Sequence, residues 1–336
     1  MRFVIVILML LMVPMTTLAQ DLSRIDLSRI ERIETAWGHW LDLNKVDKAS
    51  LTISYKGRIL HSISRNIPDG QAMPIASLSK GITAACITHL ISVDKLELDT
   101  TLKQIFGNGL TGLGAEGLHG QGITISQLLS HSSGLMPDST QEAMWRWQGN
   151  TKQRHHEVTI TALSRSTQMG KLGVYAYNNE NYAILGEVIK SITGQRYGDY
   201  CKSVVLDPLG IKTATLQNKW GAFGPWGGWE ISSDDYARFV SGYFGDQSSV
   251  GNDPLGWAKV AVNKGVFYGM GSFFRNTAKF RSFWNFGLLC FTSGDSAGSY
   301  FATWQGKWQV VVTYDACPSW KALRALDVAL GIAAVH

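Results

Sequence analysis

Beyond its first twenty residues the chain has no apolar run long enough to cross a bilayer, which takes roughly 20 residues. Lysines and arginines number 31 against 26 acidic residues, and the basic ones are scattered rather than clustered. A net charge of +5 spread in this way describes neither a nucleic-acid face nor a polybasic membrane patch. Cysteine is scarce. Cys86, Cys201, Cys290 and Cys317 are the only four, and their spacing matches no zinc pattern. No segment has the composition of a linker, and the one repeat, DLSRIDLSRI at 21–30, has a five-residue step that suits neither helix nor strand. What remains is one large domain or two intimate lobes, with 45% hydrophobic residues to build a core.

The opening MRFVIVILMLLMVPMTTLAQ has a basic Arg2, an apolar run from Phe3 to Val13 and small residues at Thr17-Leu18-Ala19. This pattern predicts a secretory signal at 1–19, cleaved before Gln20, and hence a periplasmic or secreted protein at 20–336. No cysteine follows the cleavage site, so no lipid anchor is indicated there. No stable membrane insertion is expected after cleavage.

Ile30, Ile33, Trp37, Trp40 and Leu41 share one helical face. LTISY and ILHSIS, joined by Lys56-Gly57-Arg58, predict a β-hairpin. Residues 100–250 are mainly helical in pattern, with glycine-rich loops. The period then changes back: WNFGLLCFTSG, SYFATW and WQVVVTYD are strand-like, with QGK as the last turn. WKALRALDVALGIAAV closes the chain as a helix. The expected fold is α+β, an antiparallel sheet built from both chain ends and flanked by helices. A helical lobe at roughly 80–250 is inserted, and the cleft lies between the lobes.

The stretch IASLSKGITAACITHL, 75–90, reads as an apolar helix that nevertheless carries Ser77 and Lys80 near its start. Residues three apart share a helical face. A lysine desolvated there loses pKa, its neutral amine becomes a general base, and the serine hydroxyl becomes a usable nucleophile. Free N–H groups at the helix start can stabilise an oxyanion. The competing reading is a capping serine beside a lysine that snorkels to water.

The surrounding text decides between them. PIASLSKGITA, VDKLELDTTL, ITISQLLSHSSGL, YNNENYAILGEVIKSITGQRY, LDPLGIKTATL, GGWEISSDDYARF and YGMG follow one another in order. The chain resembles the serine β-lactamase and penicillin-binding-protein superfamily, nearest its class C β-lactamase and esterase branch. The resemblance implies a β-lactamase-like fold, with Ser77 as nucleophile and Lys80 as its base. Tyr177 and Asn179, in YNN, are implied as the Tyr-x-Asn pair. Tyr177 passes a proton to the leaving group, and Asn179 tethers Lys80 and binds substrate.

The family's third motif, Lys-Thr-Gly or His-Thr-Gly, is where this sequence departs. Thr292-Ser293-Gly294 stands at the expected place, implying substrate contacts from these three and oxyanion donors at the backbone of Ser77 and Asp295. Asn285-Phe286-Gly287 is the alternative alignment. Neither supplies a cation, and one lost charge-assisted contact removes about 1.5–3 kcal/mol of carboxylate recognition.

The expected activity is that of a serine hydrolase forming an acyl-enzyme on a neutral ester or amide, without metal or cofactor. The substrate is a small molecule or peptide-like. The alternatives are a D,D-carboxypeptidase, D-aminopeptidase or β-lactamase with Arg275 or Arg281 replacing the cation, or a ligand-binding or sensor domain that has lost turnover.

Placing Cys290 and Cys317 on either side of the SYFATW strand separates them by two strand spacings, roughly 9–10 Å. That is too far for a bond, although no other pair is plausible. His155-His156-Glu157 reads as a solvated patch rather than a metal site. His131 is expected to shape a turn, and most of the tryptophans to pack the core, with Trp145 and Trp147 at a rim.

Overall fold

The computed structural model describes residues 26–107, 120–165, 170–277 and 280–335. The expected signal at 1–19 lies outside the described residues. Helix α1 (Leu27–Leu43) starts where Asp26 accepts a hydrogen bond from the Ser28 amide, a standard N-cap arrangement. The hairpin β1 (Ala49–Tyr55) and β2 (Arg58–Arg65) follows as the sequence predicts, with Lys56 and Gly57 both at positive φ in its turn. After the two-residue strand β3 (Met73–Pro74) the chain makes a 3₁₀ turn, Ala76–Leu78, and enters α2 (Ser79–Ser92).

The helical part includes α3 (Thr140–Trp147), α4 (His155–Leu163), α5 (Glu180–Thr193) and α6 (Ser233–Phe244). Strand β4 (Glu230–Ile231) returns to pair with β3. Strands β5 (Val260–Asn263), β6 (Val266–Gly269), β7 (Ser272–Asn276), β8 (Arg281–Cys290), β9 (Ser296–Trp304) and β10 (Trp308–Tyr314) then form a meander, and α7 (Trp320–Val335) ends the described chain.

The sheet order is β2-β1-β10-β9-β8-β7-β6-β5, antiparallel throughout. The first hairpin of the chain therefore joins the last strand, Ile53 opposite Val310. One face is covered by α1 and α7, whose Ile33, Trp37, Trp40, Leu41, Leu323, Leu326 and Leu330 are buried against β1, β9 and β10. The other face carries the larger core, which takes in α2, α5 and α6. β1 is buried along nearly its whole length because both faces are covered. Among the described residues no helix is long and apolar enough to cross a membrane.

Both cysteine expectations are corrected. Cys290 and Cys317 are bonded, with Cα atoms 5.8 Å apart, and Cys86 is bonded to Cys201 at 5.5 Å. Cys317 does not continue β10. The strand ends at Tyr314 and the chain bends over the start of β9, where Ser296 Oγ donates to Asp315 at 2.7 Å, and so reaches the end of β8. The second bond ties α2 to the short helix Tyr197–Cys201, a juxtaposition of two helices that spacing along the chain does not reveal.

Candidate active site

The 3₁₀ turn before α2 is held from several sides. Ile75 donates to Trp229 O at 3.0 Å, Ser299 Oγ donates to Ile75 O at 2.6 Å, and Tyr236 OH donates to Leu78 O at 2.9 Å. Ala76 sits at φ 45°, a left-handed conformation that costs a non-glycine residue roughly 1–2 kcal/mol. The surrounding contacts maintain it, and the next residue, Ser77, is lifted half-buried to the cleft.

Lys80, one turn on, has no exposed surface. Its Nζ lies 2.7 Å from Trp226 O, 2.8 Å from Asn179 Oδ1 and 3.2 Å from Ser77 Oγ. Burial lowers its pKa to about 7, with the Asp138 carboxylate pulling weakly the other way. The three contacts specify how the neutral amine is arranged. Trp226 O and Asn179 Oδ1 can only accept, so they take its two N–H groups. The lone pair is left for the longest contact, where Ser77 Oγ–H donates to it.

Tyr177 OH donates to Ser77 Oγ at 2.8 Å. One edge of the ring is open, the residue being 39% exposed, whereas the hydroxyl lies at the serine. Burial of that hydroxyl raises its pKa well above the ordinary tyrosine value, and the hydrogen bond to Ser77 opposes the shift. Tyr177 is thus a neutral phenol near neutrality. Beneath it lies His131, ring centroids 4.4 Å apart and completely buried. The amide of Asn178 and Nδ2 of Asn181 both donate to His131 Nδ1, at 3.3 and 3.2 Å. Burial, reinforced by the Lys80 charge, holds its pKa well below the usual histidine value. His131 is more than a turn former: it is the neutral platform on which Tyr177 rests.

Asn179 is fixed at both ends, its Nδ2 donating to Thr140 Oγ1 at 3.0 Å and its backbone N–H to Asp138 Oδ2 at 3.1 Å. Glu180, next along and fully buried, is paired with Arg165 at the start of α5.

Ser77, Lys80, Tyr177 and Asn179 therefore meet at one point. The expected third segment does not join them. Thr292, Ser293 and Gly294 are exposed at the tip of the β8–β9 hairpin, and a side chain added to Gly294 would meet nothing within 4 Å. The strand reaches the serine at Gly287 instead, where an added Cβ would lie 2.4 Å from Ile75 O and 3.0 Å from Ser77 N. Gly271, at φ +84°, makes a similar close approach, 2.7 Å from Gly81 N of α2. It is the last residue of YGMG. Asn285, two residues before Gly287, is buried and donates to Gly271 O at 2.9 Å.

The missed signal is the register of β8. β7 pairs with β8 only as far as Trp284, leaving the edge of 285–290 open towards α2. On that edge the Phe286 amide turns back to Asn285 Oδ1 at 2.9 Å. By the two-residue period of a strand the Leu288 amide points the same way, towards Ser77, whereas Asp295 lies beyond the turn. Asp295 instead forms an ion pair with Lys219.

A sequence profile of the Beta-lactamase family matches residues 44–303. The chain belongs to that family. Its β-lactamase-like fold recurs in a penicillin-binding-protein homologue from Pyrococcus abyssi, TM-score 0.69 and 20% identity, over 91% of this chain and 78% of that one. A class C β-lactamase from Rhodobacter sphaeroides is similar in fold at TM-score 0.65 and 13% identity, over 90% of this chain and 98% of that one. Among curated proteins, Protein flp of Staphylococcus aureus strain MW2 is 26% identical over 56% of this chain, a match that spans only 38% of its own length. The family is one of serine hydrolases, and Ser77, Lys80 and Tyr177 all lie within the matched region.

Other expected features fall elsewhere. Arg281 donates to Asn252 O at 2.9 Å, and the Arg275 guanidinium lies 5.1 Å from the Trp284 ring centroid. His155 is not solvated: it faces Glu187 of α5 from 3.6 Å, and burial lowers its pKa to about 4. No group of three residues suited to a metal ion occurs among the described residues. Trp220, Trp226 and Trp229 are core residues, while Trp145 is 44% exposed.

Proposed function

We propose that this chain is an exported serine hydrolase that forms an acyl-enzyme at Ser77 and acts on a neutral ester or amide. The observation that carries the reading is the convergence on Ser77 Oγ of a depressed amine and a raised phenol, at 3.2 and 2.8 Å. Ser77 Oγ attacks the substrate carbonyl carbon as its proton passes to Lys80 Nζ. The oxygen of the tetrahedral intermediate accepts hydrogen bonds from the backbone N–H groups of Ser77 and Leu288. Lys80 returns the proton through Tyr177 to the leaving group, and the C–O or C–N bond breaks. Water then attacks the acyl-enzyme, giving its proton to Lys80; the acyl–Oγ bond breaks and Lys80 returns that proton to Ser77 Oγ, restoring the neutral amine and the serine hydroxyl. Asn179 holds Lys80 and offers the substrate a polar edge.

The preference for neutral substrates is supported by Asn285. At the position where the family places lysine or histidine it has no charge, and its amide is committed to Gly271 O. A similar fold, at 17% identity and TM-score 0.69 over 90% of this chain and 98% of that one, belongs to a D-stereospecific amidohydrolase from Streptomyces; D-amino-acid amides are accordingly candidate substrates once labelling of Ser77 is established. The test treats purified protein with a fluorophosphonate and with a labelled penicillin, Ser77→Ala serving as control. Labelling of Ser77 by the fluorophosphonate alone is expected. Labelling by both restores the peptidase or β-lactamase reading, and labelling of folded protein by neither overturns the hydrolase reading in favour of a ligand-binding domain.

A further inference from the structure

Tyr177 stands on the β6 and β7 side of the cleft. Its ring is 6.4 Å from that of Tyr268, and its near neighbour Tyr175 is 6.1 Å from Phe273. On the hydrolase reading, Tyr177 delivers the proton to the leaving group. The leaving group therefore lies towards β7, and the acyl portion extends the opposite way, along the free edge of β8 from Gly287 towards the hairpin tip.

That direction is closed. Phe291 stacks on Trp220 with centroids 5.3 Å apart, and Trp145 meets Phe291 edge-on at 5.1 Å. Just beyond, Gln148 Nε2 donates to Ser293 Oγ at 3.0 Å, and Gln148 and Lys219 both engage the Asp295 carboxylate. Trp145, Gln148, Lys219 and Trp220 come from the helical part, while Phe291, Ser293 and Asp295 come from the sheet. A polar clasp backed by aromatic rings thus joins the two sides of the cleft.

We propose that this clasp is the end stop of the acyl groove and that Trp145 and the clasp determine specificity for acyl length, a proposal that rests on the serine-hydrolase reading. At about 3.4 Å per residue, the strand from Gly287 to Phe291 spans about 14 Å. The groove accepts acyl groups up to that length, with an apolar or aromatic end against Trp145, and rejects longer ones.

Alkyl fluorophosphonates of graded length test this on the full chain. Ser77 Oγ forms a bond to phosphorus as the P–F bond breaks, the hydroxyl proton going to Lys80 and fluoride leaving. The wild type should react with a butyl probe at least about tenfold faster than with a hexadecyl probe, whose extended length overruns the groove. The double variant Gln148→Ala/Lys219→Ala, or Trp145→Ala, should reduce that ratio to about threefold or less by raising the hexadecyl rate relative to the butyl rate. Equal rates for both probes in the wild type overturn the proposal, as does an unchanged ratio in both variants. If no probe of any length labels Ser77, the hydrolase reading itself fails, a result distinct from either.

Discussion

Lys80 ties stability and chemistry to one proton. Its ordinary pKa is 10.5, and in the folded protein it is about 7. Between those values the folded state binds fewer protons at this site than the unfolded chain, so stability rises with pH across that window. Below about pH 7 the penalty for burying the amine is fully present. Moving from about pH 6 to about pH 9 should relieve about 3 kcal/mol of it. Lys80→Met removes the titration, and also leaves Asn179 Oδ1 and Trp226 O without their donor, a loss that does not vary with pH. The informative quantity is thus the wild-type-minus-variant difference in unfolding free energy, measured by denaturant titration at both pH values with the disulfides intact. We expect the wild type to gain about 3 kcal/mol on the variant over this range. The acylation rate of Ser77 should rise with pH through the same value near 7 and then level off, because only the neutral amine accepts the serine proton. A stability difference that stays constant to within about 0.5 kcal/mol would refute the buried-amine account.

Four further outcomes follow from the geometry. Tyr177→Phe should fold normally and lose about 10²–10⁴-fold in acylation, the usual contribution of a positioned proton donor, measurable by stopped-flow labelling. Gly287→Ala should abolish labelling and cost about 1–3 kcal/mol, because its Cβ would meet backbone at Ile75 O. Gly294→Ala, at φ +90° in open space, should cost only about 1 kcal/mol and leave labelling unchanged. Replacing the Cys86–Cys201 pair with alanines should cost about 5 kcal/mol and replacing Cys290–Cys317 about 3.5 kcal/mol, since the bonds close segments of 115 and 27 residues; calorimetry orders the two.

What could be read from the chain alone follows from the kind of signal each feature leaves. The outer helices and the strands at 49–65 and 284–314 have strong periods, so the sheet made of both ends was legible. Ser77, Lys80, Tyr177 and Asn179 were legible as ordered motifs on helices and a short loop. The strands β5 to β7 are four or five residues each with glycine between them, too short to show a period. The solvated reading of His155 failed for a different reason: Glu187, which it faces, is 32 residues away and visible only after α4 packs on α5.

The third segment is the instructive case. Aligning by spacing favours Thr292-Ser293-Gly294, since Gly298 follows four residues after Gly294 and a strand, turn and strand come next. The physical requirement is different. The strand edge must pass the start of α2 so closely that no Cβ fits, and it must direct an amide into the space above Ser77. Only a glycine inside the strand meets the first condition, and only the amide of the next residue meets the second; a glycine in the turn at φ +90° meets neither. Asn285-Phe286-Gly287 satisfies both while changing the side chain that faces the cleft. Backbone position is therefore retained while charge is lost. The backbone donors at the serine and the charge of the side chain beside them can therefore vary independently.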